Sequence, residues 1–93
     1  MHHTEAHSLV MLGQIKQQVR NFVIENFLFG DGNGLGDADL FIDRGIIDST
    51  GILELVVFLE QTYGFKVDDD ELIPENLNSV NLVSDFVMKK RPA

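Results

Sequence analysis

Ser49 is the side chain whose setting most invites chemistry. It follows Asp48 at the end of the run Asp43-Arg44-Gly45-Ile46-Ile47-Asp48-Ser49-Thr50-Gly51 and leads into the apolar-rich run Ile52-Leu53-Glu54-Leu55-Val56-Val57-Phe58-Leu59-Glu60. An aspartate just before a helical run is a good N-cap, because its carboxylate accepts from the unpaired amides of the first turn. With Asp48 capping, the Ser49 hydroxyl is free to project from a helix N-terminus, where the amides and the dipole favour an anion by about 0.3–1 kcal/mol. The plainer alternative is that Ser49 is itself the N-cap and nothing more.

Other chemistries lack parts. A Ser-His-Asp hydrolase centred on Ser49 has no G-x-S-x-G elbow, and the only histidines, His2, His3 and His7, lie far off at the N-terminus. Those three histidines match no standard metal-ligand spacing. Gly30-Asp31-Gly32-Asn33-Gly34-Leu35-Gly36-Asp37 alternates its glycines, so it offers neither G-x-G-x-x-G nor a G-K-[ST] ending for phosphate. A calcium loop starting at Asp31 would place Leu35 and Ile42 where oxygen ligands are needed. The segment reads as a connector.

The chain has 93 residues, 44% of them hydrophobic, enough for one core and one domain. Residues 1–7 read as a flexible N-terminal tail and 8–91 as the domain. There is no cysteine, so any thiol chemistry must be imported on a cofactor. No window approaches the roughly eighteen apolar residues of a membrane span, and Met1-His2-His3-Thr4-Glu5 lacks the features of a secretory signal; a cytoplasmic protein is expected. The net charge of −8 is concentrated in residues 37–75, which hold eleven acids against Arg44 and Lys66. Such a field disfavours nucleic acid and anionic membranes and attracts proteins with basic patches, chiefly by raising association rates.

Helical periodicity supplies the scaffold. Leu12, Ile15, Val19, Phe22, Val23 and Phe27 make one stripe, predicting a helix from a Ser8 cap to about Leu28. In the following connector Leu40, Phe41, Ile46 and Ile47 are expected to anchor the chain on the core. A second helix is predicted from Ser49 to Tyr63, stopped by Gly64 in left-handed conformation. Asp68 to Leu77 allows only short turns, with Pro74 in a first turn. A last helix starts near Asn78 or Ser79, turns Val80, Leu82, Val83, Phe86 and Val87 inward, and ends in Lys89, Lys90 and Arg91 as dipole partners. No strand pattern occurs, so the fold class is all-α: a small bundle of three main helices plus one short helix.

Gly45-Ile46-Ile47-Asp48-Ser49-Thr50, a glutamate five residues after the serine and the acidic second helix together resemble the acyl carrier protein family of phosphopantetheine-binding domains. That family's signature is Asp-Ser-Leu after a Gly-hydrophobic-hydrophobic triplet, and the likeness extends over about eighty residues. The resemblance implies that Ser49 carries a 4′-phosphopantetheine arm drawn from coenzyme A, with Asp48 as the helix cap beside it. The arm's thiol holds acyl or aminoacyl cargo as a thioester, so the chain is a monomeric carrier and not an enzyme. It also implies partners: a phosphopantetheinyl transferase, a loading ligase or acyltransferase, and downstream synthases that dock through basic grooves. Residues Thr50, Leu53, Glu54, Val57 and Glu60 would make those contacts. The alternative is an acidic helical adaptor that never acquires the arm.

Three positions depart from the fatty-acid pattern. Thr50 and Gly51 stand where leucine and an acid are usual, and Gly51 in a first turn is expected to cost up to about 1 kcal/mol relative to alanine. Phe58 replaces a small residue and is expected to narrow a core cavity for long acyl chains. These changes point to a specialised pathway, such as that of a polyketide, a nonribosomal peptide, a modified lipid or a stand-alone aminoacyl carrier, and leave the cargo open.

Overall fold

The computed structural model describes residues 2–31 and 34–92, with side chains from Ser8 onward. Among the described residues four α-helices follow one another: α1 (His2–Phe27), α2 (Ser49–Tyr63), α3 (Pro74–Leu77) and α4 (Val80–Lys90), with a 3₁₀ turn at Asp69–Glu71 between α2 and α3. No strand occurs among the described residues. The architecture is the expected bundle of three main helices and one short one.

The boundaries of α2 follow from its flanking residues. Asp48 is extended (φ −94°, ψ −178°) and caps the N-terminus, while Gly64 at φ 76° ends the helix in the left-handed conformation and donates its amide to Glu60 O. Ser79 caps α4 by accepting from the Leu82 amide, and Lys89 and Lys90 sit in its last turn. Pro74 opens α3, where its missing amide costs nothing.

The first helix corrects the sequence reading. It begins at His2, so Ser8 lies inside it rather than capping it, and the helical backbone extends through residues 2–7. Thr4-Glu5-Ala6-His7 contains neither glycine nor proline, so nothing local stops the helix at Ser8. The three histidines fall outside the residues whose side chains are described.

The core is one cluster in which α1 gives Ile15, Val19 and Val23, α2 gives Leu55, Val56 and Leu59, and α4 gives Val80, Val83, Phe86 and Val87. Leu35, Phe41, Ile47 and Phe65 complete it from the connecting segments, and Leu77 from α3. Fully burying a side chain of this size contributes about 1.5–3 kcal/mol, which is why the long α1–α2 connector stays bound to the bundle. One connector expectation changes, since Leu40 is exposed; Leu35, in the same connector, is buried. Leu82 is only half-buried.

Phe58 is half-buried. Its ring stacks on Phe22 of α1, with centroids 4.2 Å apart and planes at 17°, and meets Tyr63 edge-on. It therefore fills the seam between α1 and α2.

Candidate functional site

The loop that delivers Ser49 is held from the far end of the chain. Phe41 donates its amide to Asn78 O at 2.8 Å, Ile42 donates to Asn78 Oδ1 at 2.8 Å, and Asn78 Nδ2 reaches Asp43 Oδ1 at 3.3 Å. Asn81 adds an amide hydrogen bond to Asp37 O. With Phe41 fully buried, this clasp fixes both the depth and the direction of the loop. The chain then reverses through Gly45 (φ 71°), letting the Ile46 and Ile47 amides both donate to Phe41 O. Ile47 is buried, and the next two residues emerge into solvent as Asp48 and Ser49.

Ser49 is the first residue of α2 and is exposed. Asp48 Oδ1 accepts from the Gly51 amide at 2.7 Å, so the cap belongs to the aspartate, and the serine hydroxyl is not needed for it. The hydroxyl thus stands at the positive end of a 15-residue helix. Beside it runs a groove of about 240 Å³ lined by Ile42, Ile52, Leu53, Leu72, Ile73, Pro74 and Leu77 together with Ser49. Phe58 takes no part in that lining. An exposed alcohol at a helix tip, with an apolar groove next to it, fits a slender group joined through a phosphodiester.

The other residues singled out on α2 divide into two kinds. Thr50, Leu53, Glu54 and Val57 are exposed, and Leu53 and Val57 leave about half of their surface in water. Glu60 is half-buried and already occupied: its Oε2 accepts from the Val67 amide at 2.8 Å, tying α2 to the segment beyond Gly64. Ile42 and Ile73 are exposed apolar residues on the lips of the groove, and the sequence reading did not single them out. It also missed Asn78, because an asparagine before a Ser-capped helix looks like ordinary turn chemistry and its partners lie some 35 residues away.

Charge pairs brace the elements around the site. Arg20 of α1 bonds Leu35 O and the Asp37 carboxylate, and Arg44 pairs with Asp39 at 2.5 Å and reaches Gly34 O. The Gly36 amide, followed by Arg44, holds the Asp39 carboxyl below its usual range. Glu71 is likewise lowered, first by the Asp68 amide and then by Lys90, whose ammonium lies 2.9 Å away and is raised in return. Burial pushes the Tyr63 phenol up to about 12 while its hydroxyl meets Gln18 Oε1. Among the described residues no three His, Asp or Glu side chains converge on a metal-sized space, and no helix is long and apolar enough to cross a membrane.

No protein-family model matches the chain. Individual proteins do. The D-alanyl carrier protein of Streptococcus sanguinis is 34% identical over 71 residues, 76% of this chain and 89% of that protein. The protein of the same name from Streptococcus suis is 33% identical over 75 residues, 81% of this chain and 92% of the relative. In Streptococcus mutans the corresponding figures are 33% over 79 residues, 85% and 98%. At this identity and coverage, and with the helical bundle described above, the chain belongs to the acyl-carrier-like family of these non-catalytic carrier proteins.

Proposed function

We propose that the chain carries aminoacyl groups, D-alanyl first among them, on a 4′-phosphopantetheine arm attached to Ser49. The observation that carries this reading is the Ser49 hydroxyl, exposed at an N-terminus already capped by Asp48 in a chain of the carrier family. Attachment forms a bond between Ser49 Oγ and the pantetheine-side phosphorus of coenzyme A and breaks the anhydride P–O bond, releasing adenosine bisphosphate. The hydroxyl proton passes to a base on the transferase. The resulting phosphodiester keeps one negative charge, which the open end of α2 stabilises. When bound, the group supplies the thiol that the cysteine-free chain lacks.

The chain's own residues do the presenting. Phe41, Ile47 and Asn78 hold the loop, Asp48 fixes the first turn, and Thr50, Leu53, Glu54 and Val57 form the exposed strip that partners read. Leu53 and Val57 offer apolar contact, and Glu54 offers charge to a basic groove on a transferase, a loading ligase or a downstream acceptor enzyme. Glu60 contributes to the acidic field while its carboxylate stays bound to Val67. A shuttle must bind each partner in turn, so these encounters are brief and the chain works as a monomer in the cytoplasm.

The deciding experiment is intact-mass measurement after incubation with coenzyme A and a promiscuous phosphopantetheinyl transferase, beside Ser49→Ala. One phosphopantetheinyl increment on the native chain and none on the variant is expected. Loading with a D-alanine-activating ligase should then add one alanyl group that hydroxylamine removes. A native chain that stays unmodified returns the protein to the alternative of an unmodified acidic helical adaptor.

A further inference from the structure

Gly51, in the first turn of α2, is buried, and its amide is the one that Asp48 Oδ1 accepts. A Cβ built on it would lie 2.7 Å from Phe27 Cε1, 2.8 Å from Ile47 Cγ2 and 3.3 Å from Asp48 Oδ1. The first two separations are too short for carbon, so something must move. The tip of the Phe27 ring can swing aside. Ile47 cannot do so readily: its Cγ2 branches from Cβ, its rotamer is fixed by that branching, and it is 1% exposed. Gly51 has no positive φ, so the backbone does not demand glycine there. Gly13 in the middle of α1 provides the contrast, since a Cβ there would meet nothing within 4 Å.

We propose that Gly51 is a positioning residue for the Ser49 hydroxyl. This rests on the reading of Ser49 as the modified residue and adds what keeps it in place. Ile47 and Gly51 lie two residues to either side of Ser49, and the empty volume at Gly51 lets them close together beneath it. The closure seats the first turn of α2 against Phe27 and keeps the Asp48 cap short. A methyl group at 51 wedges Ile47 from the turn, and the displacement falls on the intervening Asp48 and Ser49. The glycine that helix propensity alone would replace is therefore required by the packing directly under the site.

The test compares Gly51→Ala, Gly51→Ala with Ile47→Leu, and Gly13→Ala as a propensity control. Leucine keeps the volume of isoleucine but has no branch at Cβ. In the apo chain, the pH-dependent shift of the residue-51 amide proton reports the cap, because it follows ionisation of the carboxylate it bonds. Gly51→Ala should lose most of that amplitude and lower kcat for phosphopantetheinyl transfer about tenfold, with a smaller change in KM. The Ile47→Leu double variant should recover at least half of both losses, and Gly13→Ala should change neither.

A native chain that takes no arm overturns the reading of Ser49 and this inference with it. A native chain that takes the arm, beside a Gly51→Ala variant with unaltered amide titration and transfer, overturns the inference alone. Should Gly51→Ala fail to fold, a folded and reactive double variant still supports the proposal, and one equally unfolded or unreactive overturns it.

Discussion

At the residue scale, the division of labour between Asp48 and Ser49 decides the site. A serine at a helix start is ordinarily the cap, and its hydroxyl is then spent on a backbone amide. Here Asp48 Oδ1 accepts from Gly51, and the neighbouring alcohol remains exposed. Asp48→Ala should cost about 0.5–2 kcal/mol in urea unfolding and slow attachment of the arm, whereas Asp48→Asn, also a good cap, should keep most of the stability. If Asp48→Ala left unfolding unchanged, the cap would have to lie elsewhere. Asp48 and Ser49 were legible in the sequence because capping is local chemistry. Gly51 was not: its neighbours Phe27 and Ile47 are brought to it by tertiary packing, and propensity pointed the other way.

At the element scale, α2 was readable end to end, since both its start at Ser49 and its stop at Gly64 are written in flanking residues. The start of α1 was not, because a good cap residue does not end a helix whose upstream neighbours also favour one. Gly13 sits within α1 with open space around it, so Gly13→Ala should raise stability by about 0.5–1 kcal/mol, measured by thermal or urea unfolding. The Asn78 clasp binds the α1–α2 connector to the segment before α4. Asn78→Ala strips the Ile42 amide of its acceptor at a part-buried place and should cost about 1–3 kcal/mol. Faster exchange of the Ile42 amide in that variant would localise the loss; unchanged exchange there would refute the clasp.

At the scale of the whole molecule, charge sets both stability and encounter. Asp39 and Glu71 have carboxyl groups lowered by partners that exist only in the folded chain. Their contribution is complete above the ordinary carboxylate range and disappears as pH falls through the lowered values, so the melting temperature should drop in acid below about pH 4.5. Lys90→Ala removes one of those partners from Glu71 and should make the acid decline shallower. Tyr63 runs the opposite way: with its folded value raised to about 12, stability should fall as pH climbs from 10.0 towards 12. The acidic middle of the sequence should make association with a basic transferase salt-sensitive, with KM rising between about 50 and 300 mM salt and kcat nearly constant.

The Asn78 clasp has a temporal side as well. Ser49 leaves the ribosome well before Asn78 and Asn81, whose atoms fix the loop that carries it. Until Asn78 and Asn81 have emerged as well, the α1–α2 connector lacks the hydrogen bonds that seat it. Seating of the Ser49 loop is thereby coupled to the segment that opens α4, so neither can be loosened without the other.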